Sequence, residues 1–277
     1  MTTISREKWE LKESADWWSA GQAARQQIFG AATEMMLDLA GVQPGSRVLD
    51  VAAGTGESTL MAARRVGPTG HVLATDVSAS MLNVAAEAAR KEGLTKVETR
   101  LMNGENLTLG ADSFDAVISR NALMLFPNPT KALTEMRRVV KPEGKVVVMV
   151  LSALEKNPYH GIVFGIVQRL GSIPPPAPGE PWMYGLGEPR ALEDIYKGAG
   201  FLNVSVHAVP IQRRFASTAE AIGKMKNSAG DLRELMNRLN DADRELAWVE
   251  IEEQLRRLEG PHGLEVSGEV LIGVGTK

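Results

Sequence analysis

Residues 46–59 read Ser-Arg-Val-Leu-Asp-Val-Ala-Ala-Gly-Thr-Gly-Glu-Ser-Thr. The run Arg47–Val51 has the apolar density of a buried strand. A small-residue loop follows, Ala52-Ala53-Gly54-Thr55-Gly56, and a helix begins near Glu57 and carries Leu60, Met61 and Ala62. Glycine at 54 and 56 allows a tight turn and lets a ligand approach the main chain. Free N–H groups at the helix start carry partial positive charge and hold anionic groups. Such a unit places a nucleotide-type ligand at the C-terminal end of its strand. A plain strand-to-helix turn would use the same glycines without any ligand.

A dinucleotide fingerprint needs a third glycine three residues after the second, and that place is Thr59. An acid stands at the strand end instead, giving Asp50-Val-Ala-Ala-Gly54-Thr-Gly56. This D-x-x-x-G-x-G order resembles motif I of the class I S-adenosylmethionine-dependent methyltransferases. A pyrophosphate is met by bare backbone N–H groups, whereas the methionine end of this cofactor carries an ammonium, which an acid accepts. The resemblance implies S-adenosylmethionine as cofactor and S-adenosylhomocysteine as product. It places Asp50, Ala52, Gly54, Thr55 and Gly56 around them.

Further pieces of the same pattern lie downstream. His71–Asp76 reads as a second strand ending in an acid, where a nucleotide-binding βαβ unit receives ribose hydroxyls. Ser78 is the expected N-cap of the helix that runs through Arg90. Asp76-Val77-Ser-Ala-Ser-Met81 resembles the segment that follows motif I, and a thioether such as Met81 packs on an aromatic ring as readily as in a core. Val97–Met102 alternates as a third strand. It leads to Asn103-Gly104-Glu105, where the family usually has Asp-Ala-Glu against the adenine; Asn103 offers an amide oxygen instead. Ser113–Ser119 is the fourth strand and matches the family's S-F-D-x-V, which puts Ser119 and Asn121 at a strand end facing the cofactor or substrate. A helix over Ala132–Val140, the Lys-Pro-Glu-Gly turn and a fifth strand, Lys145–Leu151, complete this core.

The chain has 277 residues, 44% apolar and 23% charged, with a net charge of −3 and a pI near 5.9. That balance gives no reason to expect nucleic acid as a partner. Cysteine is absent, which removes disulfides, thiolate metal sites and thiol nucleophiles. No metal site is expected. The first eighteen residues lack the apolar core of a signal peptide, and Val146–Leu151 is too short to span a bilayer. A cytoplasmic protein without an integral membrane segment is expected, and a homodimer is compatible with this reading.

Residues 5–42 read as two helical parts, the first with Trp9, Leu11, Trp17 and Trp18, the second ending at Gly41. Past Leu151 the resemblance to the core fades. Residues 152–190 hold Tyr159, His160, an apolar stretch over 162–170 and a proline-rich run that suits neither helix nor central strand. A helix over 191–199, a sixth strand over Val204–Ile211, a helical block over Ser217–Leu258 and a last strand, Glu269–Val274, follow. The expected fold is α/β: a doubly wound, mostly parallel seven-stranded sheet with an antiparallel last strand and a helical lid. It is read as a single methyltransferase domain over 1–277, with N-terminal helices 1–42, a cofactor core 43–151 and lid insertions 152–190 and 215–260.

The closest resemblance is to the ubiquinone/menaquinone-biosynthesis type of methyltransferase, a group that also includes secondary-metabolite enzymes. It implies methyl transfer to a small, apolar or aromatic acceptor at oxygen, carbon or nitrogen, by in-line displacement. Trp18, Tyr159, Trp182 and Tyr184 are the acceptor-site candidates, and His160 is the candidate general base. Core packing, a surface loop and a helix-start histidine are the alternative readings of these residues. A pericyclase-like catalyst that keeps the cofactor as scaffold, a nicotinamide-dependent oxidoreductase and a non-enzymatic interaction module remain open.

Overall fold

The computed structural model describes residues 12–177, 179–227 and 231–277; Trp9 and Leu11, assigned to the first helix, lie outside them. The chain opens with α1 (Lys12–Ala20) and α2 (Gln22–Leu39). Then strands and helices alternate: β1 (Arg47–Val51), α3 (Glu57–Val66), β2 (His71–Asp76), α4 (Ala79–Lys91), β3 (Val97–Leu101), β4 (Phe114–Arg120), α5 (Pro129–Val139) and β5 (Val140–Leu151). α6 (Pro158–Leu170), α7 (Pro189–Gly198), β6 (Leu202–Phe215), α8 (Thr218–Lys226), α9 (Asp231–Met236), α10 (Asp241–Arg256), the short β7 (Glu259–Gly260) and β8 (Gly263–Thr276) follow.

The strands form one mixed sheet in the order β3-β2-β1-β4-β5-β8-β6, with β7 pairing β8. β1 lies between β2 and β4, parallel to both, with Asp50 opposite Ala74 on one side and Ile118 on the other. Val48 to Val51 are all buried, as expected for a parallel strand covered on both faces. The sheet order reverses at β1, because its chain neighbour β2 lies on one side and β4 on the other. That reversal opens a crevice at the strands' C-terminal ends.

Local chemistry sets the helix starts. Ser78 caps α4, its hydroxyl accepting from Met81 N–H at 3.3 Å. Asn128 caps α5 by accepting from Lys131 N–H at 2.9 Å, with Pro129 in the first turn. α2 ends one residue earlier than expected, at a cap on Ala40, and Gly41 follows in the left-handed region (φ 69°).

β8 runs antiparallel to β5, from Lys145 opposite Thr276 to Leu151 opposite Val270. Gly273 and Gly275 leave the room filled by Tyr196, since a Cβ at either would stand 2.7 Å from its ring. The Tyr196 hydroxyl donates to Gly273 O at 2.8 Å. β5 starts at Val140, five residues before the expected Lys145. The Lys-Pro-Glu-Gly segment is an irregularity within the strand, not a turn before it, because the register with β4 shifts between Phe114 and Ala116. β6 and β8 are each 14 residues long, well beyond Val204–Ile211 and Glu269–Val274. Their outer parts carry charged side chains such as Arg214 and Glu265, paired at 2.9 Å, while in β8 the buried Leu264 and Val266 alternate with the exposed Glu265 and Ser267.

Contacts group the chain into two compact units. One holds Thr2–Ser152, Gly179–Val209 and Val270–Lys277; the other holds Ala153–Pro178 and Pro210–Glu269. In the second unit α6 and α8 pack on α10. Asn157, fully buried, donates to Glu269 O at 3.0 Å and so ties the start of α6 to β8.

Candidate functional site

The loop after β1 is closed by its own backbone and by the acid that ends β2. Asp76 Oδ2 accepts from Gly54 N–H at 2.9 Å, and Oδ1 accepts from Ser78 N–H at 2.9 Å. Gly56 N–H donates to Ala53 O at 3.0 Å. The N–H groups of Gly54 and Gly56 are therefore engaged within the chain. Gly56 sits in the left-handed region (φ 88°), and a Cβ there would lie 2.7 Å from the Ala85 Cβ of α4. Ala52 (φ 56°) and Asn121 (φ 54°) adopt the same region at the ends of β1 and β4. For residues with a Cβ that is stored strain of about 1–2 kcal/mol each.

Asp50 is wholly buried, and its Oδ2 accepts from Ser58 Oγ at 2.8 Å and Thr59 Oγ1 at 2.7 Å. Thr59 thus holds the acid where a dinucleotide fold would have its third glycine. Asp50 Oδ1 is buried and has no hydrogen-bond partner. Burial pushes this carboxyl up to about 6, against the pull of the Thr59 and Ser58 hydroxyls and of Arg120. Burial also raises Asp76, opposed by its backbone donors. Asn121, at the neighbouring strand end, likewise keeps a buried Oδ1 without a partner. Two unsatisfied buried acceptors cost on the order of 1–3 kcal/mol each, and a donor group placed there removes that cost.

Around this acid stands an ion cluster that the sequence did not reveal. Glu57, the first residue of α3, receives Arg25 Nε from α2 at 2.8 Å and Arg120 Nη2 from β4 at 3.1 Å. Arg120 also donates to Thr33 Oγ1 at 3.3 Å, and the Arg25 guanidinium lies 4.5 Å from the Trp18 ring centre. Gln22 donates to Thr55 O at 3.0 Å. The second helix therefore rests its polar side on the loop. The visible signals were faint: an acid in a first turn and an arginine at a strand end.

The remaining predicted positions fall on the same crevice or just behind it. Ser119 is buried and spends its hydroxyl on Val51 O at 2.8 Å, tying β4 to β1. Met81 is buried near the start of α4, and Val77 is half-buried beside Asp76. Asn103 is exposed and its Oδ1 accepts from Glu105 N–H at 2.9 Å. Gly104 is buried, where a Cβ would stand 2.7 Å from Phe126 and 2.8 Å from Val51. Glu105 Oε1 accepts from Asn128 N–H at 2.9 Å.

Residues 43–167 match the family described as "Methyltransferase domain". That match takes in the strand, loop and crevice described above. The ubiquinone/menaquinone biosynthesis C-methyltransferase UbiE of Hydrogenovibrio crunogenus is 35% identical over 142 residues, which are 50% of this chain and 56% of that enzyme. The chain thus spans about half the length of the curated relatives it matches. Among solved structures, the YcgJ protein of Bacillus subtilis superposes with a TM-score of 0.59 at 19% identity, over 90% of this chain and 98% of that one. The [4+2]-cyclase SpnF shares the fold with a TM-score of 0.58 at 18% identity, over 98% of this chain and 94% of that one.

The other site candidates divide between the two compact units. Trp18 and Trp182 are half-buried and Tyr184 is buried, all in the unit that carries the loop. The rings of Trp182 and Tyr184 meet at 5.3 Å. Tyr159 and His160 belong to the other unit. Tyr159 stacks on Phe215 at 5.2 Å, with the Arg213 guanidinium 5.5 Å from its ring centre. Burial and the Arg213 charge push His160 down to about 3, and burial pushes the Tyr159 hydroxyl up to about 12.

Proposed function

We propose that this chain binds S-adenosylmethionine on the 50–56 loop and transfers its methyl group to a ring carbon of a small hydroxylated aromatic acceptor. The two buried, unpartnered acceptors Asp50 Oδ1 and Asn121 Oδ1 carry the reading, because they suit an ammonium donor. The donor set therefore fits the methionine end of the cofactor. With the backbone N–H groups of Ser78, Gly54 and Val77 on its carboxylate, Asp76 keeps about one of its four acceptor sites for a ribose hydroxyl, and Asn103, Gly104 and Glu105 edge the adenine position. The relative's printed role as a C-methyltransferase of quinone biosynthesis supports carbon as the methylated atom.

When bound, S-adenosylmethionine supplies an electrophilic methyl group and leaves as S-adenosylhomocysteine. The chain's residues then hold and orient the two reactants and keep water away. Such alignment can contribute roughly 7–11 kcal/mol. Trp182 and Tyr184, in the unit that carries the loop, supply apolar lining for the acceptor. His160, with a pKa near 3, is a weak proton acceptor at neutral pH. An acceptor acidic enough to react as its own phenolate fits that better than one needing this base.

Calorimetry with S-adenosylhomocysteine and NADH, followed by mass measurement of hydroxylated aromatic acceptors incubated with S-adenosylmethionine, tests the proposal. Heat from the first ligand alone, together with a methyl mass gain, is the expected result. NADH binding without S-adenosylhomocysteine binding would end it. Cofactor binding with rearranged but unmethylated product would instead favour a non-methylating catalyst, an outcome open to this fold, since the cyclase SpnF shares it.

A further inference from the structure

Asn103-Gly104 is the one Asn-Gly pair in the chain. It lies just past β3, with Asn103 exposed and Gly104 buried. Asn103 Oδ1 accepts from Glu105 N–H at 2.9 Å, and Asn106 N–H donates to Asn103 O at 2.9 Å. The first of these bonds is an Asx turn, which folds a side chain forward over the peptide that follows it. It brings the Asn103 carboxamide over the Gly104 nitrogen. It also draws electron density toward Oδ1 and leaves the side-chain carbonyl carbon open to attack. Among the described residues, neither the Gly104 N–H nor Asn103 Nδ2 makes a hydrogen bond. Packing keeps glycine beside this asparagine, because a Cβ at 104 would stand 2.7 Å from Phe126 and 2.8 Å from Val51. A side chain there would hinder attack by the nitrogen, so the fold retains the one residue type that leaves it bare.

We propose that Asn103-Gly104 is a self-modification site, at which the Gly104 nitrogen expels the Asn103 amide as ammonia unless a ligand covers the pair. The nitrogen gives up its proton and bonds to Cγ of Asn103. The Cγ–Nδ2 bond breaks, and ammonia carries the proton away. The five-membered imide then takes up one water. Cleavage of its bond to Cγ leaves an aspartate at this position. Cleavage at the main-chain carbonyl leaves an isoaspartate, with the chain running through the former side chain. Either product places a negative charge beside Glu105, and no electrons are exchanged. The isoaspartate also adds one atom to the main chain next to Gly104, which Phe126 and Val51 hold closely. That fraction loses the shape of the 103–105 edge. The protection rests on the reading of this edge as the adenine position: an adenine there covers both the amide and the N–H.

The experiment ages the intact protein in mildly alkaline buffer, ligand-free and with saturating S-adenosylhomocysteine, and follows it by peptide mass mapping and an isoaspartate assay. Asn103→Gln is the control, because its longer side chain closes a less favoured ring. The same chain in urea gives the rate without a fold. Ligand-free protein should exchange amide for acid at Asn103 faster than at any other asparagine, and Asn103→Gln should not at this position. The ligand should slow the exchange severalfold. Calorimetric binding capacity of the ligand-free sample should fall in step with its isoaspartate. An Asn103 amide that survives in the folded protein while it is lost in urea would show that the fold holds the pair apart, and would overturn the inference. Exchange at an equal rate with the ligand bound would overturn the protection. If S-adenosylhomocysteine gives no heat with fresh protein, the cofactor reading fails, and the ligand-free arm alone decides the modification.

Discussion

Asp50→Asn should remove Asp50's share of the pH dependence of the ligand-free protein's stability. In the folded chain Asp50 is raised from 3.8 to about 6, chiefly by burial. A group whose folded value lies above its unfolded one stabilises the fold fully below the unfolded value and loses that contribution as pH rises through the folded one. Asp50 therefore favours folding below about pH 4 and ceases to do so above about pH 6. At 1.36 kcal/mol per unit, the difference is about 3 kcal/mol. Asparagine keeps an acceptor for Ser58 and Thr59 but does not titrate. Urea unfolding of both proteins, ligand-free, at steps from about pH 4 to pH 7 reads the effect. The stability of the variant minus that of the unaltered protein should climb by about 3 kcal/mol across that range. Parallel curves would show that Asp50 is not held near 6 and would refute the reasoning. The variant should also bind S-adenosylhomocysteine more weakly, because a neutral acceptor pairs less well with an ammonium. A protein that gains stability at neutral pH while losing ligand would mark Asp50 as kept charged for binding.

Three further outcomes are expected. Asp76→Ala should lower both the ligand-free melting temperature and the affinity for S-adenosylhomocysteine, since Asp76 holds Gly54 and Ser78 N–H in bonds worth about 1.5–3 kcal/mol each. Affinity should fall roughly 30-fold or more, less in Asp76→Asn, and an unchanged titration would remove Asp76 from the site. Gly56→Ala should cost about 2–4 kcal/mol from its left-handed backbone and its 2.7 Å approach to Ala85. Gly54→Ala, with no atom within 4 Å of the new Cβ, should cost only the backbone part, and equal losses on denaturation would contradict the packing account. Trp182→Ala with Tyr184→Ala should impair methyl transfer while leaving cofactor affinity nearly intact. Steady-state rates beside a cofactor titration check this, and a matching loss of affinity would place the pair against the cofactor.

The strand, loop and first turn from Arg47 to Thr59 were legible because their signals are local. Burial of a short apolar run, the φ > 0 of Gly54 and Gly56, and the Ser78 cap are each written in a few consecutive residues. Asp76 was found in the same way, by its place at a strand end. Only the fold showed that one of its oxygens already holds Gly54 N–H, since that bond joins the end of β2 to the loop after β1. The extent of β6 and β8 was underread: Leu264 and Val266 do alternate with Glu265 and Ser267, but the pairing of Arg214 with Glu265 exists only once the strands lie side by side. The cluster of Arg25, Glu57 and Arg120 is the furthest from sequence reasoning. Its members come from α2, α3 and β4, and no spacing links them. The sequence by itself determined an acid and two glycines at the end of the first strand. The tertiary structure decided the charge that acid carries, because desolvation and the field of a distant arginine exist only in the packed molecule.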